Sequence, residues 1–172
     1  MIVLFIIVIL IALILYFIQE KKYQSRKGIN MNKTISECLK KYYIANCKRI
    51  IVTTLRGNKH EICLSKDNKY FYSYTALGDN NVLYLSWFDG IVEFIRQNGG
   101  RVEKGNCRNS KVGYGSCAQG TLCYYVATEC YGHKIGESSF DPIFIISAIL
   151  ENAGICKNDR GYIQIKAEFL NF

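Results

Sequence analysis

The sequence predicts an α+β fold, made of a single N-terminal transmembrane helix followed by one mostly antiparallel, disulfide-stapled domain. Three observations indicate this class. The first eighteen residues, Met1–Ile18, are all apolar or aromatic, whereas the rest of the 172-residue chain has the mixed composition of a water-soluble domain. Helix-like and strand-like runs then alternate, with short turns between the early strands. All eight cysteines lie after the apolar run.

The composition excludes several classes of protein. A single proline, thirteen tyrosines and nine phenylalanines rule out a collagen-like or disordered chain. No second long uncharged run follows the first one, so a multi-span membrane protein is excluded as well. The net charge is +8, and the part of it that lies in the cysteine-containing domain is scattered. Behind a membrane anchor and with disulfides expected, we therefore expect no nucleic-acid partner.

The apolar run Ile2–Ile18 is long enough to serve as a membrane anchor. As a helix it covers about 26 Å, close to the thickness of a thin bilayer. A cleavable signal peptide would have basic residues before the run and small residues after it, and neither is present. We predict a retained transmembrane signal-anchor over 1–18 and a basic juxtamembrane linker over 19–32. A removed signal and a buried core helix are the alternatives.

Two signals disagree about the side of the membrane on which the ectodomain, predicted over 33–172, lies. The basic flank favours the cytoplasmic side, whereas the cysteines favour a compartment in which disulfides form. We give the cysteines more weight. A glycosylation sequon at Asn32-Lys33-Thr34 is compatible with that choice but does not decide it. The basic flank consists of Lys21, Lys22, Arg26 and Lys27.

The first half of the domain is predicted to hold one helix and a series of strands. Thr34-Ile35-Ser36-Glu37 fits a capping box, and apolar residues then recur at helical spacing to about Ala45. Short β-type runs separated by turn residues follow. The predicted strands are Ile50–Leu55, Glu61–Leu64, Tyr70–Leu77 and Val82–Ser86.

The second half is predicted to hold two helices and two strands around a long loop. The helix Trp87–Gln97 ends at Asn98-Gly99-Gly100, which is a strong stop signal. A second helix begins at Asp141-Pro142, an acidic cap with proline at the first helical position, and ends at Asn152-Ala153-Gly154. The predicted strands are Thr121–Tyr131 and Tyr162–Phe169, and the loop is Lys104–Gly120.

The second of these helices is apolar on nearly every face. Such a helix either lies at the centre of the core or contacts a partner protein or another anchor. The sequence leaves both possibilities open. The candidates for partner contact are Ile143, Phe144, Ile146, Ile149 and Leu150.

All eight cysteines are disulfide candidates, and their pairing cannot be deduced from the sequence. If Thr121–Tyr131 is a strand, Cys123 and Cys130 lie about 23 Å apart, point to opposite faces and cannot pair with each other. Cys107 and Cys117 are favoured partners because they would close the glycine-rich loop. The candidates are Cys38, Cys47, Cys63, Cys107, Cys117, Cys123, Cys130 and Cys156.

Metal binding is the alternative use of the cysteines. His60 with Cys63, and Cys130 with His133, would supply two imidazoles and two thiolates to a tetrahedral zinc ion. The alternative function is therefore a membrane-tethered zinc-binding or thiol-redox protein. The leading interpretation has no cofactor and no catalysis, because neither histidine lies in a nucleophile motif and no phosphate-binding glycine loop is present.

Two stretches of the domain carry a resemblance to a known family. They are Trp87-Phe88-Asp89-Gly90-Ile91 through Gly99-Gly100-Arg101-Val102, and Gly115-Ser116-Cys117. With the size and layout of the chain, they resemble the 19-kDa per os infectivity factor of baculoviruses and related insect DNA viruses. The anchor with its basic flank also resembles the signal that sorts such envelope proteins to the inner nuclear membrane.

This resemblance implies a location and a set of partners. The protein would lie in the envelope of occlusion-derived virions as a single-pass membrane protein, after passing through host nuclear or endoplasmic-reticulum membranes during assembly. Its partners would be the lipid bilayer and the other infectivity-factor subunits of a hetero-complex. That complex would help virions enter gut cells after oral infection, and the subunit would act by binding and not by catalysis.

Overall fold

A capped helix, α1 (Ile35–Ala45), opens the part of the chain that the computed structural model describes, residues 34–79 and 81–170. The Thr34 hydroxyl accepts a hydrogen bond from the Glu37 amide, which confirms the predicted cap. One face of α1 is buried, because its apolar residues recur at helical spacing. The buried residues of α1 are Ile35, Leu39 and Tyr43.

The predicted anchor over 1–18, the linker over 19–32 and its basic flank, Lys21, Lys22, Arg26 and Lys27, lie outside the described residues. The described residues from Thr34 onward belong to one compact unit. Among them, no helix has both the length and the apolar character needed to cross a membrane.

Four short strands follow α1 and form an antiparallel meander. They are β1 (Arg49–Thr53), β2 (Lys59–Leu64), β3 (Tyr70–Tyr72) and β4 (Leu83–Tyr84). Each strand pairs with the next along the chain, so the order in the sheet is β1-β2-β3-β4. Ile50 and Val52 of β1 point inward and their neighbours point to solvent, as the period of a half-buried strand requires.

The helix α2 (Leu85–Gln97) begins directly after this sheet and packs on it, burying Phe88 and Ile91 completely. Its predicted end is confirmed, because Gly99 and Gly100 both have left-handed backbone conformations that terminate the helix. A second antiparallel sheet follows, in the order β5-β7-β6. Its strands are β5 (Arg101–Glu103), β6 (Cys156–Asn158) and β7 (Tyr162–Ile165).

The predicted strand Thr121–Tyr131 is wrong. Thr121 caps a short helix, α3 (Leu122–Tyr125), which continues as a π-helix over Val126–Cys130. The Thr121 hydroxyl accepts from the Tyr124 amide, and this local hydrogen bond favours the helical turn over an extended chain. Seven helical residues rise only about 10 Å, so the separation and opposite faces expected for Cys123 and Cys130 do not hold.

The helix α4 (Ile143–Asn152) lies in the core, which is one of the two positions that the sequence left open. Four of the five candidates for partner contact are at most 3% exposed, so the interpretation as a partner-binding helix is wrong for them. Phe144 alone among the candidates is half-buried. The four buried candidates are Ile143, Ile146, Ile149 and Leu150.

Candidate functional site

A cleft of about 730 Å³ opens where four segments of the chain meet. Its walls are the β1–β2 turn, the segment after β5, the residues that precede and begin α4, and the β6–β7 turn. A volume of this size is typical of a binding site for a small molecule or a short peptide segment. Its lining includes the side chains of Leu55, Arg56, Lys104, Arg108, Phe144 and Arg160.

Three arginines from three different segments surround the cleft. Arg56 lies in the β1–β2 turn, Arg108 in the segment after β5 and Arg160 in the β6–β7 turn. All three are exposed, and none forms a salt bridge with any of the described residues. None of the three guanidinium groups is therefore held in a direct ion pair at the opening of the cleft.

Two carboxylates also line the cleft, but each already has other partners. Asp141 accepts hydrogen bonds from the amides of Cys107 (2.9 Å) and Ile143 (3.1 Å). Asp159 forms a salt bridge of 3.0 Å with Lys157. The cleft therefore presents a net positive field to a ligand.

Lys104 stabilises the wall of the cleft that the β6–β7 turn forms. Its ammonium donates to the side-chain oxygen of Asn158 and to the carbonyl of Asp159. Burial lowers the pKa of Lys104, although the carboxylates of Glu151 and Asp159 act in the opposite direction. Because its hydrogen bonds are satisfied within the chain, Lys104 has a structural role, and the arginines are the cations available to a ligand.

One wall of the cleft is apolar and aromatic. The guanidinium of Arg108 lies 4.9 Å from the centre of the Phe144 ring, in a cation–π contact. The ring of His60 meets Phe144 edge-on at 6.1 Å, and its Nδ1 atom is buried with no hydrogen-bond partner among the described residues. Phe144 thus holds Arg108 over an apolar surface.

A cluster of three sulfur atoms lies next to the cleft. Cys107 and Cys117 form a disulfide, which confirms the favoured pairing. The sulfur of Cys123 joins them, and the three atoms all lie within 4.8 Å of one another. The Cys123 sulfur also contacts the Thr121 hydroxyl at 3.3 Å and the Ser116 carbonyl at 3.5 Å. We call Cys107, Cys117 and Cys123 the sulfur cluster.

Burial raises the pKa of the Cys123 thiol. The Thr121 hydroxyl lowers this pKa and the charge of Asp141 raises it further. Asp141 lines the cleft and also accepts a hydrogen bond from the Cys107 amide. It therefore links the cleft to the sulfur cluster.

The other disulfide candidates do not extend this framework. Besides the bonded pair and Cys38, the other five of the eight cysteines are thiols, so the expected network of several disulfides is not observed. Cys38 is half-buried on α1. The five thiols are Cys47, Cys63, Cys123, Cys130 and Cys156.

The structure does not bring together His60, Cys63, Cys130 and His133, the residues of the alternative zinc site. His60 and Cys63 are three residues apart on β2, so their side chains leave opposite faces of the strand. The Nδ1 atom of His133 lies 3.2 Å from a carboxylate oxygen of Glu137. Within residues 34–79 and 81–170, the sulfur cluster is the one set of three or more histidine, cysteine or acidic side chains close enough to share an ion.

Comparison with protein families, curated proteins and solved structures finds no match. The function of the cleft and of the sulfur cluster therefore has to be inferred from their own chemistry. For the cleft, this chemistry is three guanidinium groups without direct ion pairs, beside an aromatic ring.

Proposed function

We propose that this chain is a membrane-anchored, non-enzymatic binding subunit of a viral envelope complex through which virions enter gut cells. The apolar run Ile2–Ile18 and the basic flank support the anchor and the contact with the lipid bilayer. The resemblance to the 19-kDa infectivity factor supports the envelope location and the companion subunits. The cleft supports the binding role and carries the proposal.

The charge of the cleft favours an acidic partner. The lining carries four basic side chains and two acidic ones, and the repulsion within this excess of positive charge is relieved when an acidic ligand binds. Guanidinium groups also match the two oxygens of a carboxylate better than ammonium groups do. An acidic segment of another envelope subunit, with an apolar side chain placed against Phe144 and Leu55, fits this surface.

The residues that line the cleft favour recognition over catalysis. Within the described part of the chain, no histidine, cysteine or serine lines the cleft. The two carboxylate oxygens of Asp141 both accept backbone hydrogen bonds, so this group is not placed to act as a general base. Thr54 and Lys104 also line the cleft, but the Thr54 hydroxyl donates to the Asn58 carbonyl and the Lys104 ammonium donates to Asn158 and Asp159. Neither group is therefore placed to act as a nucleophile.

Reversing the three charges tests the proposal. A full-length variant with Arg56→Glu, Arg108→Glu and Arg160→Glu is expected to lose its companion subunits, with co-purification from detergent-solubilised envelopes falling at least about tenfold. All three arginines are exposed, so the fold should be retained, which circular dichroism checks.

The matched control reverses three exposed lysines outside the cleft, Lys40, Lys66 and Lys134, and changes the net charge by the same amount. This variant should keep its companions. The binding proposal fails if the cleft variant is folded and retains the same set of proteins, or if the unaltered chain purifies as a monomer.

A further inference from the structure

We propose that the sulfur cluster is a thiol–disulfide exchange centre, in which the bond between Cys107 and Cys117 can move to Cys123. The three sulfurs lie within 4.8 Å of one another and are at most 4% exposed. Cys123 keeps its thiol in this structure, so an attacking group and a disulfide are already adjacent. The inference goes beyond the proposed binding function and does not depend on it.

Backbone contacts fix the cluster from three segments. The Cys123 amide donates to the Lys104 carbonyl at 2.8 Å, and the Asn106 amide donates to the Ser116 carbonyl at 2.8 Å. Gly105 lies between these two contacts with φ +67°, and a Cβ atom at this position would overlap the Cys123 sulfur. The absence of a side chain at Gly105 therefore lets α3 bring its cysteine up to the disulfide.

The exchange balances without any external oxidant or reductant. A solvent base removes the proton of Cys123, and the thiolate attacks the sulfur of Cys117 or that of Cys107. A new sulfur–sulfur bond forms while the bond between Cys107 and Cys117 breaks. The displaced sulfur leaves as a thiolate and takes a proton from water, so one thiol and one disulfide are present before and after.

The surroundings of Cys123 control how readily the step begins. Its sulfur is faced by the Thr121 hydroxyl, the Ser116 carbonyl and, as the charged neighbour, Asp141. Burial raises the pKa of this thiol, so little thiolate forms at neutral pH. Below that pKa, the rate of exchange should rise about tenfold for each unit of pH.

The exchange has a consequence for the cleft. Attack on Cys117 releases Cys107, whose neighbour Arg108 lines the cleft and lies over Phe144. The position of Arg108 then no longer depends on the disulfide. This coupling rests on the proposed binding function, whereas the exchange itself does not.

Peptide mapping of the full-length protein tests the exchange. The protein is incubated at rising pH, quenched with acid, alkylated and digested without reduction. We expect peptides that join Cys123 to Cys117 or Cys107, together with newly alkylated Cys107 or Cys117, and both should increase with pH. Cys156 is an internal control, because it is a fully buried thiol that the cluster does not include.

Two cysteine variants test whether Cys107 and Cys123 lie close enough to form a disulfide. In Cys117→Ser, the partner of Cys107 is lost, and oxidised glutathione should drive formation of a bond between Cys107 and Cys123. In Cys117→Ser with Cys123→Ser, Cys107 should form no internal disulfide and at most a mixed disulfide with glutathione.

The exchange proposal is overturned if no peptide joined to Cys123 arises from the unaltered protein as the pH is raised. It is likewise overturned if the folded Cys117→Ser variant keeps both Cys107 and Cys123 as thiols. The mapping of the unaltered protein stands even if a variant fails to fold. None of these results depends on whether the cleft binds a companion subunit.

Discussion

Replacing Ile149 with alanine is expected to lower the free energy of unfolding by about 2–5 kcal/mol. The Ile149 side chain is fully buried in α4, so truncation removes buried apolar surface and leaves a cavity that the core fills only in part. Urea unfolding of the full chain in detergent, followed by circular dichroism, measures the change through the transition midpoint.

The matched control is Ile135→Ala. Ile135 is 63% exposed, so its truncation should change the free energy of unfolding by no more than about 0.5 kcal/mol. The contrary outcome is that Ile149→Ala leaves the free energy of unfolding unchanged and reduces co-purification of companion proteins. That outcome would restore the interpretation of α4 as a partner-binding helix.

Replacing Gly105 with alanine is expected to lower the free energy of unfolding by about 2–5 kcal/mol. Its φ of +67° costs a residue with a side chain about 1–2 kcal/mol. The added Cβ would also overlap the Cys123 sulfur, the Ser116 carbonyl oxygen and the Thr121 Cβ, which adds an overpacking cost of about 1–3 kcal/mol. The same unfolding measurement applies.

Gly120→Ala separates the two contributions. Gly120 also has a left-handed conformation, with φ +90°, but an added Cβ there meets no atom within 4 Å. This control should show the backbone cost alone, about 1–2 kcal/mol. If the two alanine variants are equally stable, the overlap of a Cβ at position 105 with the sulfur cluster contributes nothing to the loss of stability.

The helices that the sequence predicts correctly are marked by local chemistry. Thr34 caps α1, Gly99 ends α2 and Asp141 precedes α4, and each signal acts through hydrogen bonds or backbone conformations within a few residues. Such signals can be identified in a single sequence because they do not depend on distant parts of the chain.

The segment 121–131 shows where local signals fail. Its β-branched and aromatic residues favour a strand by propensity, yet the chain is helical there. The Thr121 cap and the burial of Leu122, Cys123 and Val126 on one side of the helix outweigh that propensity. The three-residue strands β5 and β6 are also missing from the prediction, because a run of three residues is too short to establish a period.

The cleft could not be predicted from the sequence at all. Arg56, Arg108 and Arg160 are separated by about fifty residues each, and the sequence shows them only as scattered charges. They converge because two hairpin turns and the segment after β5 meet beside α4. One weak signal exists, since Arg56 and Arg160 each precede a glycine, Gly57 and Gly161, that has a left-handed backbone conformation.

The order of strands in the second sheet determines when this domain can finish folding. β7 lies between β5 and β6, and β5 pairs with no other strand among the described residues. During synthesis β5 therefore waits for about sixty further residues before its partner is made. The bond between Cys107 and Cys117 can close well before that point, so oxidation of this loop is expected to precede completion of the sheet.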